Sequence, residues 1–312
     1  MIQARPEISL VIPLYDESES LHELHSALEA SLAPYGRRCE IIFVDDGSTD
    51  DSFQRLVELR ERDPRVVAVR LRSNQGKATA LAAGFREARG DVIVTLDADL
   101  QDDPKEIPRF MKKLEDGYDL VSGWKVARHD PWSRRFLSAV FNRITAAMTG
   151  VRLHDFNCGF KAYRRVVIDE LRLHGELHRF IPALASWRGF RIGEIEITHH
   201  PRRYGRSRYG AERIPRGFFD LLTVLMLTRY TTRPLHLFGL LGLVVGLVGL
   251  GIVSYLSIGW LFGKWIAGRP LFILGALMVI TGIQLVSFGL VAEMIVYTST
   301  REREPPIASI LR

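Results

Sequence analysis

The chain has 312 residues, 47% hydrophobic and 25% charged, with a formal net charge of +6 and two cysteines, Cys39 and Cys158. That composition excludes fibrous, disordered and disulfide-stapled classes and makes a reducing compartment the easier reading. The charge is local: residues 202–233 carry eight arginines against Glu212 and Asp220, which accounts for the whole +6, so the pattern argues against a general nucleic-acid binder and for one local anionic partner.

In chain order, short β-branched runs at Ile8–Pro13, Glu40–Val44, Val66–Leu71, Val92–Leu96 and Asp119–Ser122 alternate with helix patterns near 18–32, 50–62, 76–88 and 104–116. Strand and helix alternating at this spacing predict an α/β domain with a mostly parallel sheet covered on both faces. Ligands of such sheets sit beyond the carboxyl ends of the strands. Those ends are polar and acidic here: Tyr15-Asp16-Glu17 after the first run, Asp45-Asp46-Gly47-Ser48-Thr49-Asp50 after the second, Asp97-Ala98-Asp99-Leu100-Gln101-Asp102-Asp103 after the fourth. Helix capping accounts for Asp50 and for Asp102 or Asp103. Asp97 and Asp99 call for another reason, because in an extended segment their carboxylates would converge, and such a pair is costly without a cation. Hard oxygen donors so arranged suit Mg²⁺ or Mn²⁺. A dinucleotide fingerprint is missing after the first strand, and Gly76-Lys77-Ala78 lacks the hydroxyl of a P-loop. Gln75-Gly76-Lys77 opens a helix whose amino end either faces an anion or is simply a helix start.

Beyond residue 200 the character changes. Ile214–Tyr230, with Phe218, Phe219, Leu221, Leu222, Leu225 and Met226 flanked by arginines, fits an interfacial helix, and Pro131–Thr149 fits a second; each also reads as an ordinary core helix. Leu235–Phe262 and Leu271–Tyr297 carry only Glu293 between them, and each exceeds the ~20 residues that cross a bilayer core. The expected organisation is a cytosolic catalytic domain over 1–211, an amphipathic juxtamembrane helix over 212–234, a transmembrane hairpin over 235–297 (spans 235–262 and 271–297), and a tail over 298–312. No secretory signal precedes the first apolar run, and Lys and Arg are concentrated outside the hairpin loop, so both termini are expected on the cytoplasmic side of a multi-pass cell (inner) membrane protein. Gly239, Gly242, Gly246 and Gly249 share one face of the first span, and Gly275, Gly282 and Gly289 share one of the second; such faces pack within a hairpin or between subunits of a homo-oligomer.

Four motifs, Val11-Ile12-Pro13-Leu14-Tyr15-Asp16-Glu17, Val44-Asp45-Asp46-Gly47-Ser48-Thr49-Asp50, Asn74-Gln75-Gly76-Lys77 and Leu96 through Pro104, resemble in order and spacing family 2 of the glycosyltransferases. Later ones resemble the branch of dolichol-phosphate mannose synthase and bacterial polyprenyl-phosphate glycosyltransferases. These are Ser122-Gly123-Trp124-Lys125, Ser133-Arg134-Arg135, Asp155-Phe156-Asn157-Cys158-Gly159-Phe160-Lys161, His178-Arg179-Phe180-Ile181-Pro182 and Arg202 through Tyr209. Arg208 stands where that branch has Lys, and Cys158 where it has Ser or Thr. The Q-x-x-R-W and T-E-D of processive synthases do not occur, which disfavours polymerisation.

The resemblance implies a GT-A-like nucleotide-sugar-binding domain and inverting transfer of one hexose from a nucleotide-diphosphate sugar to a polyprenyl (undecaprenyl or dolichyl) phosphate. Pro13, Tyr15, Glu17 and Asp46 would contact the nucleoside, with Lys77 and Asp97 also on the donor. Asp97, Asp99 and Gln101 would hold the metal. Lys125, Arg134, Arg202, Arg203, Ser207 and Arg208 would serve the acceptor phosphate, with Arg128, Arg135 and Arg206 nearby. A phosphate monoester has a second pKa near ~6 and is already nucleophilic at pH 7. Asp155 is therefore either a general base or a residue that orients an arginine or the sugar. Transfer to a lipid or protein hydroxyl, which would make Asp155 indispensable, and a non-catalytic sugar-nucleotide-binding module are the rival readings.

Overall fold

The computed structural model describes residues 5–126, 142–143, 145–146, 149–151, 153–171, 177–201, 203–204, 226, 234–263, 265 and 270–299. The chain divides into two compact units, Met1–Val224 and Leu225–Arg312.

The first unit is built on β1 (Ile8–Leu14), α1 (Leu21–Leu32), β2 (Cys39–Asp45), α2 (Ser52–Arg62), β3 (Val66–Arg70), α3 (Lys77–Glu87), β4 (Val92–Thr95), α4 (Ile107–Glu115) and β5 (Leu120–Lys125). It continues through β6 (Lys161–Arg164), α5 (Arg165–Glu170), α6 (Ile181–Trp187) and β7 (Ile192–Ile197). The strands form a seven-stranded sheet in the order β3-β2-β1-β4-β6-β5-β7. Pairings are parallel except that β6 runs antiparallel to both β4 and β5. The first nine elements follow the periodicity of the sequence to within about three residues at each end, the usual uncertainty of such boundaries. The antiparallel β6 was not foreseen, because Lys161-Ala162-Tyr163-Arg164 has no strand period and is extended only because two neighbours pair with it.

Each face of the sheet has its own core. Even-numbered residues of β1 (Ile8, Leu10, Ile12) pack under α1, α2 and α4 with Leu24, Leu56 and Phe110, while Val11, Ile42 and Val44 pack under α3, α5 and α6 with Leu81, Phe85 and Ile181. A smaller cluster, including Leu153, Phe156, Phe180 and Leu184, anchors the segment between Val151 and β6. At the amino-terminal edge of the sheet, Asp63 accepts from Arg65 Nη2 at 2.8 Å and meets His25 Nε2 at 3.0 Å. Burial opposes its charge, but Arg65 and His25 outweigh it and hold the Asp63 pKa at about 2.

The second unit contains α7 (Pro234–Leu261) and α8 (Pro270–Ser299), both long and apolar enough to cross a membrane. They pack through their glycines. A Cβ on Gly242 would lie 2.6 Å from the Gly282 carbonyl, one on Gly249 2.7 Å from the Gly275 carbonyl, and one on Gly289 3.1 Å from Phe238 Cβ. The small-residue faces are thus filled inside the hairpin, and nothing supports their use between subunits. Leucines, isoleucines and valines such as Leu243, Leu247, Ile273 and Ile283 remain exposed around the outside. Glu293 Oε2 accepts the Leu235 amide at 3.1 Å, satisfying one of the orphan donors at the start of α7.

Candidate active site

The chain leaves β1 for β2 on one side and β4 pairs on the other, so the crevice beyond the carboxyl ends of β1, β2 and β4 is a topological switch point. Three loops meet there. Asp16 adopts a left-handed conformation, φ 52°, and its Oδ1 accepts the Thr49 amide at 2.7 Å, while its own amide donates to Ser48 Oγ at 2.9 Å. The Glu17 amide donates to Ser52 Oγ at 2.9 Å. These bonds latch the β1 exit to the β2 exit and leave Pro13, Tyr15 and Glu17 half-exposed on the crevice side of the first strand. Asp46 is buried and accepts the Gln75 and Gly76 amides at 2.8 and 2.9 Å. The anion at the amino end of α3 is therefore the protein's own Asp46. Burial raises the Asp46 pKa, and the two amides work against that rise.

Asp97 and Lys77 form the centre of the site. The Lys77 ammonium donates to Asp97 Oδ1 from the first residue of α3. Burial disfavours the Asp97 charge, but Lys77, Lys125 and Lys161 together hold its pKa well below the usual carboxylate range. The carboxylate fits only because residue 159 is glycine: a Cβ there would lie 2.6 and 2.7 Å from the two Asp97 oxygens. Thr95 Oγ1 donates to the Gly159 carbonyl at 2.7 Å and fixes that loop against β4.

Strand β4 ends at Thr95, residues 98–99 lie in a turn, and Leu100 is left-handed at φ 57°. The extended-strand argument for converging Asp97 and Asp99 therefore does not hold. Ala98 is nonetheless buried between two half-exposed aspartates. Asp99 Oδ1 accepts the Gln101 amide at 3.2 Å, and Gln101 exchanges bonds with His200, its carbonyl accepting at 2.7 Å. Among the described residues no three His, Cys, Asp or Glu side chains converge as a metal-binding group. The donor set fits a hard divalent cation that takes two carboxylates and an amide oxygen from the protein and shares phosphate oxygens of a substrate.

Lys125 pairs with buried Asp102, Nζ to Oδ1 2.7 Å, and His199 Nδ1 lies 3.4 Å from the same oxygen. Burial opposes the Lys125 charge, but Asp102 outweighs it and raises the pKa. Asp103, by contrast, is the cap, accepting the Lys105 amide at 3.0 Å. Asp155 is buried and its Oδ1 accepts the Asn157 amide at 3.0 Å; beside it Glu194 binds the Asp155 amide and the His154 ring, which stacks on Trp124 at 4.0 Å. Arg203 Nη1 donates to Glu23 Oε1 of α1 at 2.6 Å, and the Tyr204 hydroxyl to its other oxygen at 3.1 Å. Arg134, Arg202, Ser207 and Arg208, like Arg128, Arg135, Arg206 and most of both interfacial-helix segments, lie outside the described residues.

Lys161 was not singled out from the sequence. It is 3% exposed and donates to the Cys158 and Phe156 carbonyls, tying down the loop that carries Asp155 and Gly159. Burial lowers its pKa. Its signal was a basic residue closing the Asp155–Lys161 motif at the start of an unrecognised strand.

Glycosyl transferase family 2 matches residues 9–172 of this sequence. The chain is 39% identical over 306 residues to a dodecaprenyl-phosphate galacturonate synthase of Rhizobium johnstonii, covering 96% of this chain and 90% of that protein. It is 40% identical over 301 residues to an undecaprenyl-phosphate 4-deoxy-4-formamido-L-arabinose transferase of Pseudomonas aeruginosa, covering 95% and 87%. The fold is similar to that of glucosyl-3-phosphoglycerate synthase from Mycobacterium tuberculosis. Its complex with Mn²⁺ and UDP-glucose superposes with a TM-score of 0.53 at 21% identity over 72% of this chain and 79% of that one. The complex with phosphoglyceric acid gives 0.54 at 20% identity over 72% and 80%.

Proposed function

This chain belongs to glycosyl transferase family 2, and from that premise we propose that it transfers one sugar from a nucleotide-diphosphate sugar to a polyprenyl phosphate. The observation that carries the reading is the Lys77-bound Asp97 carboxylate at the switch point of the sheet, in a chain whose full-length relatives form polyprenyl-phosphate sugars.

The chemistry follows from the residues. Pro13, Tyr15, Glu17 and Asp46 border the nucleoside, and the amide bonds that fix Asp46 keep that border rigid before the donor arrives. Asp97, Asp99 and the Gln101 side chain would hold Mg²⁺ or Mn²⁺ against the diphosphate. Bound there, the cation would neutralise charge that builds on the leaving nucleoside diphosphate. Lys77 fixes the orientation of Asp97, so the carboxylate meets its cation without reorganising. The acceptor phosphate is largely dianionic at pH 7. Its oxygen forms the new bond to the anomeric carbon from the face opposite the diphosphate, the old carbon–oxygen bond breaks with its electron pair on the nucleoside diphosphate, and the configuration inverts. No proton has to be removed, so Asp155 acts by orientation: buried and bonded to the Asn157 amide, it fixes the 155–161 loop. Arg202, Arg203 and Arg208 serve the acceptor phosphate, with Arg134 and Ser207; Arg203 would exchange Glu23 for phosphate. Helices α7 and α8 anchor the enzyme in the membrane, where its acceptor resides, with the catalytic domain (1–211) and both termini on the cytoplasmic side.

The test is a transfer assay with the full-length protein in detergent micelles, radiolabelled nucleotide sugars, undecaprenyl phosphate and Mg²⁺ or Mn²⁺. One labelled glycolipid is expected, lost with EDTA and in Asp99→Ala. Absence of labelled lipid with every common donor would overturn the reading.

A further inference from the structure

Asp102 follows Gln101 in the loop that would hold the metal, and its side chain is fully buried. Its Oδ1 takes the Lys125 ammonium at 2.7 Å, and His199 Nδ1 lies 3.4 Å from the same oxygen. Lys125 is the last residue of β5, and His199 stands just past the end of β7. These two strands run parallel to each other and in the same sense as β4, so all three exits lie on one edge of the sheet. The backbone repeats the connection. Asp102 and His199 form an antiparallel bridge, and the His200 amide donates to the Gln101 carbonyl at 2.7 Å. The Thr198 amide and hydroxyl donate to Glu106 Oε1 at 3.3 and 3.1 Å. Beyond both exits the sequence runs into arginines expected at the acceptor: Arg128 and Arg134 after Lys125, and Arg202, Arg203 and Arg208 after His199.

We propose that Asp102 is a positioning residue for the acceptor: through Lys125 and His199 it fixes both strand exits against the metal-binding loop, and so sets where the arginines hold the polyprenyl phosphate relative to the donor. The inference rests on the transfer reaction proposed above and adds to it a residue too buried to touch either substrate. Stability alone gives little reason for this carboxylate, because a buried ion pair often holds a fold no better than apolar side chains of the same volume. The cost is greater here, since Asp102 Oδ2 is buried with no hydrogen-bond partner among the described residues. What an apolar pair lacks is direction. One oxygen facing an ammonium and an imidazole ties two chain segments to a third. In-line transfer needs that registration, because the phosphate oxygen has to reach the anomeric carbon opposite the leaving diphosphate, and a misplacement of about 1 Å costs on the order of a hundredfold.

His199→Leu removes one arm and leaves the backbone bridge, and Lys125→Met/Asp102→Leu removes the buried carboxylate together with its ammonium, so neither variant buries an unpaired ion. Each is compared with wild type as the full-length protein in detergent micelles. The measurements are retention of radiolabelled undecaprenyl phosphate on the immobilised protein without nucleotide or metal, calorimetric binding of UDP–Mn²⁺ and GDP–Mn²⁺, and steady-state transfer. Undecaprenyl phosphate should bind about threefold more weakly in His199→Leu and about tenfold or more in the paired variant, with its KM rising in step. The nucleotide that wild type binds should be held within about twofold in both. His199→Asn, which returns an N–H near the place of Nδ1, should recover part of the acceptor binding. Unchanged acceptor binding in both variants overturns the proposal. So does an equal loss of nucleotide and acceptor binding, the mark of a network that only supports the fold. Wild-type protein that binds no undecaprenyl phosphate would overturn it together with the transfer reaction. If wild type binds the lipid phosphate but forms no labelled lipid, the transfer reaction falls and the binding comparison still decides the role of Asp102.

Discussion

Replacing Gly159 by alanine tests the centre of the site with a single methyl group. The new Cβ would fall 2.6 and 2.7 Å from the Asp97 carboxylate oxygens and 2.8 Å from its Cγ. Ordinary carbon–oxygen contacts are longer by about half an ångström or more, so one partner has to yield. The Gly159 backbone is not left-handed, so alanine itself brings no conformational strain there. The nearest atoms belong to the end of a side chain, so the carboxylate swings away and the sheet stays put. Stability should then fall at the low end of the overpacking range, about 1 kcal/mol, while the displaced Asp97 loses its bond to Lys77 and its position against the donor phosphates. Misplacing a catalytic group by about 1 Å costs on the order of a hundredfold, so kcat/KM for glycolipid formation should drop about 10–100-fold. The assay is steady-state transfer alongside thermal unfolding of the same preparation. Activity within twofold of wild type would show that the position of Asp97 is not critical; a collapse of the unfolding temperature would show that the backbone absorbs the clash.

Four further outcomes follow from other parts of the molecule. Lys125→Met leaves the buried Asp102 carboxylate without its ammonium and should destabilise by about 3–5 kcal/mol in denaturant unfolding, with Lys125→Met/Asp102→Leu recovering most of that. Because the Asp63 pKa is lowered from 3.8 to about 2 in the fold, its contribution, on the order of 2 kcal/mol, is present above about pH 4 and lost as pH falls through 2; Asp63→Asn should flatten that limb of the stability curve. Gly282→Val collides with the Gly242 carbonyl and Gly246 Cα, each 2.7 Å from the added Cβ, so it should splay α7 from α8. The readout is loss of a disulfide between cysteines substituted for Phe238 and Gly289, whose β-carbons would lie 3.1 Å apart, with nucleotide binding retained. Asp155→Asn keeps the acceptor for the Asn157 amide, so turnover should stay within about fivefold from pH 6 to 8; a hundredfold loss would instate Asp155 as a base.

Much of the crevice at the strand ends was legible in the sequence. A buried parallel strand needs a continuous apolar run, and its exit must be polar because the chain re-enters solvent there, so Asp16, Asp46 and Asp97 mark the crevice by composition alone. The hairpin was equally legible, since two spans with a single acidic residue between them have few other uses. What could not be read was who holds whom. Lys125, expected at the acceptor, sits on Asp102; Arg203, expected there too, is bonded to Glu23; and Asp46 is held by two amides nearly thirty residues away.

The sequence by itself determined the alternation of strands and helices, the acidic strand ends, the arginine-rich approach to the spans and the glycine faces, because each is a local pattern set by periodicity and side-chain chemistry. Only the tertiary structure decided that the glycine faces close on one another, that Lys161 and the orphaned His178 nitrogen line one recess with Lys77, and that Gly159 makes room for Asp97. Those bring together residues 17 to 101 positions apart. The contacts of Gly159 and Lys161 depend on the antiparallel insertion of β6 between β4 and β5, a pairing set by its neighbours in the sheet and by nothing in its own four residues.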